Sequence, residues 1–125
     1  MKIVTVCLVL MLASCTKSAT TNKMSEEISP LAEKGKSLVG AKGCVACHTA
    51  EGSRLVGPSF KGIFGKEEKL SDGTNVKVDE NYIRESIESP QAKIVEGYPP
   101  SMPTYKGLVT DEEIVAIMEY IKSLK

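Results

Sequence analysis

Hydrophobic residues recur along this chain with a helical period in three places. From Leu31 to Ala41 the apolar positions Leu31, Leu38 and Val39 fall on one side of a helix, with Pro30 near its first position. Asp79 is placed to cap a second helix running to about Glu88 that turns Tyr82, Ile83 and Ile87 to one face. Thr110-Asp111-Glu112-Glu113 has the form of a capping box and opens the clearest helix, with Ile114, Ile117, Met118, Ile121 and Leu124 at helical spacing. Ser89-Pro90 reads as an N-cap followed by proline, predicting a short helix to about Glu96. Phe60, Ile63 and Phe64 form an apolar cluster on a short helix or turn. Lys66 to Val78 is polar, with a turn signal at Ser71-Asp72-Gly73-Thr74 that allows a small hairpin. The pattern is that of a small all-α domain of about four to five helices.

Ahead of this domain the pattern differs. Ile3 to Ala13 is an apolar run broken only by Thr5, too short to span a bilayer but of the length of a signal-peptide core. It ends in Leu12-Ala13-Ser14-Cys15, which resembles the bacterial lipobox. That resemblance implies cleavage before Cys15 and acylation of its thiol. Residues 1–14 are then a lipoprotein signal peptide, and residues 15–29, polar and without periodicity, a flexible tether. Several acyl chains on one residue hold a protein stably to a membrane. Residues 30–125 form the domain.

Composition sharpens the picture. The full chain has 125 residues with 16 basic and 16 acidic side chains, a balance that gives no support to nucleic-acid binding. Six aromatic residues, none of them Trp, supply few bulky core groups. A domain this small then needs disulfides, a metal or a large prosthetic group.

The cysteines indicate which. Cys7 lies in the signal segment and reads as a small hydrophobe. Cys44 and Cys47 stand in Cys44-Val45-Ala46-Cys47-His48, the spacing of c-type heme attachment. Two thiols three positions apart can add to two vinyl groups of one porphyrin, and the next residue brings an imidazole beneath the iron. His48 is the one histidine in the chain. A structural zinc site wants four Cys or His ligands, a thioredoxin-like motif wants a βαβ frame, and a disulfide here would close a very short loop.

A second axial ligand is expected from methionine. Met1 and Met11 belong to the signal, Met24 to the tether, and Met118 to a helix face. Met102 lies in Tyr98-Pro99-Pro100-Ser101-Met102-Pro103-Thr104-Tyr105, where three prolines stiffen a non-helical segment. A thioether is a weak ligand and profits from being held by its surroundings. His–Met ligation fills both axial positions, raises the reduction potential and favours electron transfer over chemistry at iron.

In this order the residues resemble a class I cytochrome c from Leu31 to Lys125, through G-K-S-L-V, C-V-A-C-H, G-P-S-F-K-G-I-F-G, M-P and E-Y-I-K-S-L. The resemblance implies a fold around one covalent heme c, with Gly35 and Val39 packed across Ile117 and Tyr120. It also implies that the Pro58 carbonyl accepts a hydrogen bond from His48 Nδ1. Ser71 to Leu124 is similar, more narrowly, to the cytochrome c domain fused to subunit II of bacterial heme–copper oxidases, although no copper domain or membrane helix precedes it here.

These readings lead to a non-enzymatic, exported, lipid-anchored monoheme electron carrier on the extracytoplasmic or periplasmic side of a bacterial membrane. Cys44 and Cys47 are expected to attach heme, His48 and Met102 to ligate iron, Pro58 to orient His48, and Cys15 to carry lipid. A quinol-oxidising complex is the expected donor and a terminal oxidase the acceptor, with no nucleic acid and no small-molecule substrate. Lys42, Lys61 and Lys106 are candidates to steer an acidic partner. Two alternatives stay open: a fixed cytochrome subunit of a respiratory complex, and a small heme peroxidase or gas sensor.

Overall fold

A computed structural model of the protein describes residues 28–125. The expected signal peptide, Cys15 and all of the tether except its last two residues lie outside the described residues. The elements in chain order are α1 (Pro30–Ala41), a 3-10 turn (Cys44–Ala46), β1 (Glu67–Lys69), β2 (Asn75–Lys77), α2 (Glu80–Glu88) and α3 (Asp111–Ser123). Among the described residues no helix is long and apolar enough to cross a membrane.

Each helix starts where its sequence supplies a cap. Ser29 Oγ accepts from the Ala32 amide at 3.1 Å with Pro30 in the first turn, so the last residue assigned to the tether in fact caps α1. Asp79 Oδ1 accepts from the Tyr82 amide at 2.8 Å and opens α2. Thr110 and Glu113 form the reciprocal capping box of α3, at 3.3 Å and 2.9 Å.

The main helix pair is α1 against α3. Gly35 is buried at the crossing, and a Cβ there would sit on the Ala116 carbonyl and 2.9 Å from Tyr120 Cβ. The missing side chain lets two backbones approach where the sequence resemblance implied they should. Val39 and Ile114, each 1% exposed, complete the core with Ile117, Met118, Tyr120 and Ile121. α2 adds Tyr82, Ile83 and Ile87 to the same cluster. Its polar side is tied to α3 by Lys122, which pairs with Glu80 at 2.8 Å, and by Arg84, which pairs with Asp111.

The hairpin between Leu70 and Thr74 forms as its turn signal predicts. β1 and β2 pair antiparallel with Glu68 opposite Val76, and Asp72 Oδ1 accepts from the Thr74 amide and hydroxyl. The helix predicted from Pro90 to Glu96 does not form. Ala92 N–H reaches Ser89 O, but the chain then extends: Ser71 N–H donates to Ile94 O and Glu96 N–H to Lys69 O, each at 2.8 Å. The hairpin end therefore claims these backbone groups through a Leu70–Val95 bridge, and among the described residues three α-helices and one 3-10 turn stand where four to five helices were expected. The fold class is otherwise as read: a small, mostly helical domain.

Two measurements check these packing claims. Gly35→Ala should destabilise the domain by about 1–3 kcal/mol, read as a lower denaturation midpoint, because the new methyl meets backbone that cannot rotate away. Hydrogen bonds from Lys122 to Glu80, and from the Thr110 amide to Glu113, hold both carboxyls below their ordinary value. A folded pKa below the unfolded one stabilises above the unfolded value and is lost as pH falls through the folded one. Acid titration of the denaturation midpoint should therefore show a decline below pH 4.5 that is shallower in Glu80→Gln and Glu113→Gln.

Candidate heme site

The attachment motif starts where α1 stops. Gly43 takes a left-handed φ of 78°, which turns the chain sharply out of the helix. The 3-10 turn that follows stacks Cys47 N–H and His48 N–H on the Cys44 carbonyl at 3.1 and 3.0 Å. That turn compacts the pentapeptide, with both thiols free and half-buried. Burial pushes the Cys44 thiol above its ordinary pKa.

His48 is oriented from two sides. Its Nδ1 lies 2.6 Å from the Pro58 carbonyl oxygen. A carbonyl oxygen only accepts, so Nδ1 carries the proton and Nε2 keeps its lone pair. The Phe60 ring stacks on the imidazole with centroids 4.8 Å apart and planes within 10°. Gly57 lets the ring sit close: a Cβ at that position would fall 2.8 Å from Nδ1 and 2.9 Å from Nε2. Burial lowers the imidazole pKa, partly offset by the Pro58 hydrogen bond, which favours the neutral ring a metal requires. The loop between His48 and Pro58 is held by Gly57 N–H to Cys47 O at 2.9 Å and Phe60 N–H to Thr49 O at 2.8 Å. The role of Phe60 was missed in the sequence, where it read as one member of an apolar cluster. Neither ring spacing nor periodicity signals a stack between residues twelve apart in a loop.

Cys44, Cys47, His48, Pro58 and Met102 all line one cavity of about 260 Å³. Its walls are apolar: Val78 precedes α2, Ile83 and Ile87 come from α2, and Ile117 and Ile121 from α3. Tyr98, Pro99 and Pro103 flank Met102 on the same lining. Five residues from three parts of the sequence thus meet at a greasy interior space in the middle of a small domain. Among the described residues, no group of three or more His, Cys, Asp or Glu is arranged to hold a metal ion by itself, so the zinc alternative has no ligand set here.

The Met102 segment is non-helical, as its prolines require, and is tied down. Gln91 Nε2 donates to Met102 O at 3.1 Å, Thr104 Oγ1 to Glu88 O at 2.7 Å, and Tyr105 N–H to Ile87 O at 2.9 Å. Tyr105 OH reaches across to Lys42 O, at the end of α1, at 3.0 Å. One expectation about the surface changes. Lys42 Nζ is engaged by Glu113 at 3.2 Å and by Leu108 O at 2.9 Å, so its charge is partly neutralised, whereas Lys61 and Lys106 are exposed.

Comparison with known proteins agrees with this geometry. A family model for cytochrome c matches residues 32–125. The chain is 30% identical over 92 residues to cytochrome c2 iso-2 of Magnetospirillum molischianum, covering 66% of this chain and 91% of that protein. It is 30% identical over 95 residues to cytochrome c2 of Rhodoplanes tepidamans and 28% identical over 92 residues to cytochrome c2 iso-1 of Magnetospirillum fulvum, with the same coverage. The chain belongs to the cytochrome c family, as a class I monoheme member. Covalent heme c is the cofactor of that family, and the apolar cavity, two free thiols and one oriented neutral imidazole suit it.

Gly57→Ala should push the imidazole off the Pro58 carbonyl. The expected outcome is a loss of purified holoprotein of several-fold relative to wild type, or a holoprotein with a perturbed ferric spectrum, checked by absorption and heme-to-protein ratio.

Proposed function

We propose that this chain is an exported, lipid-anchored one-electron carrier. On this reading Cys44 and Cys47 would bind heme c through thioethers, and His48 Nε2 and Met102 Sδ would be the protein atoms that hold its iron. Electron transfer is the activity of the family; the ligand set, anchor and partners are our reading. The observation that carries it is the convergence of Cys44, Cys47, His48 and Met102 on one apolar cavity, with the Nδ1 proton of His48 already committed to Pro58.

When bound, heme c supplies an iron that alternates between ferric and ferrous states. What the chain contributes is rigidity and dielectric. Pro58 and Phe60 hold the imidazole in one plane and one tautomer, so it need not reorient when the iron changes charge. The Pro58 carbonyl also raises the basicity of Nε2. The prolines and the Gln91, Thr104 and Tyr105 hydrogen bonds keep the thioether segment where it is. Apolar walls from α2 and α3 would give the group a low-dielectric surround, which would disfavour its more highly charged state and lift the potential. Little has to move on gaining or losing an electron.

Val45, within the attachment motif, and Val56, next to Gly57, are 52% and 46% exposed and are apolar surface that a redox partner would meet near the heme. Acylated Cys15 would confine the domain near membrane complexes and raise its effective concentration there. A quinol-oxidising donor and a terminal-oxidase acceptor fit that position on this reading.

Met102→Ala should abolish the sulfur–iron charge-transfer band of the ferric protein and lower its reduction potential. An unchanged ferric spectrum would remove Met102 from the ligand set. A pyridine hemochrome spectrum with intact mass should report one heme on two thioethers and a diacylglyceryl group on Cys15. A mass without the lipid increment would remove the anchor.

A further inference from the structure

The two loops that carry His48 and Met102 are joined by a residue belonging to neither ligand set. Arg54 sits in the loop between His48 and Pro58. Its guanidinium donates through Nη2 to the Gly97 carbonyl, and its Cζ lies 4.4 Å from the centroid of the Tyr98 ring. Gly97 is moulded against it: a Cβ there would lie 3.5 Å from Arg54 Nη2. Tyr98 itself lines the heme cavity and leads directly into Pro99-Pro100-Ser101-Met102.

The anchoring of the methionine segment has two ends. On its C-terminal side Thr104 and Tyr105 bond to the carbonyls that end α2, and on its N-terminal side Glu96 is held by Lys69. Between Glu96 and Met102 the chain makes turns, with Tyr98 N–H closing back on Val95 O at 3.1 Å and Ser101 N–H on Pro99 O at 2.9 Å. These bonds are local, and the Gln91 bond to Met102 O, at 3.1 Å, holds the far end of the stretch. Arg54 supplies a long-range tie in this stretch. Its planar fork matches a carbonyl beside an aromatic face.

We propose that Arg54 is a positioning residue, a latch that keeps the Met102 segment closed over the heme and so sets how readily the sixth position opens to an outside ligand. The inference rests on Met102 being an axial ligand. Any competing ligand must wait for the open form, so its apparent affinity scales with the fraction of molecules in which the segment has swung away. Losing a charge-assisted hydrogen bond and a cation–π contact raises that fraction by roughly tenfold or more.

The test is imidazole titration of the ferric holoprotein, followed by loss of the sulfur–iron band. Arg54→Gln should bind imidazole roughly tenfold more tightly than wild type, with an unchanged heme-to-protein ratio. Arg84→Gln is the control, because it cuts the Arg84 ties to Glu88 and Asp111 without touching the Met102 segment; it should keep wild-type affinity. Wild-type affinity in Arg54→Gln overturns the latch, as does an equal gain in Arg84→Gln, which would make the effect one of general loosening. Met102→Ala in the same titration separates the two layers. Should it retain the wild-type band and affinity, the ligand assignment falls and the latch falls with it. Should it lose the band while Arg54→Gln stays like wild type, the ligand assignment stands and the latch alone is wrong.

Discussion

A ring nitrogen that must donate to a carbonyl leaves its partner nitrogen free to accept a metal. The contact between His48 Nδ1 and the Pro58 oxygen, at 2.6 Å, imposes that constraint, and much of the domain is arranged so that it can exist. Gly57 must lack a side chain, since any Cβ would occupy the ring's place. Phe60 must lie flat against the imidazole. The loop between them must close, which the bonds from Gly57 to Cys47 and from Phe60 to Thr49 achieve. The attachment cysteines stand directly before the histidine, so a fixed ring also fixes the plane in which a porphyrin can be stitched.

The interior space beside that ring explains the composition. Six aromatics supply few bulky groups for the centre of a domain framed by α1, α2 and α3, and side chains of the core cluster, among them Ile83, Ile87, Ile117 and Ile121, also line the cavity. Close packing marks the α1–α3 contact, where Gly35, Val39 and Ile114 allow near-backbone approach. Covalent heme c, the cofactor of the family, would add its own apolar surface to this interior.

Loops build the cavity as much as helices do. One carries His48 and one Met102 to the lining, and the hairpin draws Ile94 to Glu96 away from helix formation and onto its own edge. Three loop systems with no common period are brought to one place, and side-chain bonds from Arg54, Gln91, Thr104 and Tyr105 connect them.

The heme-attachment motif, the three helices with their caps and the turn of the hairpin were legible in the residues themselves, because each depends on neighbours within about five positions: a capping box, a vinyl-spaced thiol pair, an Asp-Gly turn. Met102 stood out for a similar reason, its prolines barring helix on either side. The Pro58 contact and the Gly35 crossing came from family resemblance, not from local chemistry. Tertiary structure decided the rest. The stretch after Ser89-Pro90 carries a good helix start, yet its Glu96 amide and Ile94 carbonyl pair with a hairpin some twenty-five residues earlier, and local propensity loses to bonds it cannot foresee. The Phe60 stack, the diversion of Lys42 to Glu113 and the Arg54 bridge likewise join residues whose separation along the chain follows no period. A one-dimensional pattern records which side of an element is apolar; which distant group comes to meet it depends on how the chain closes around its center.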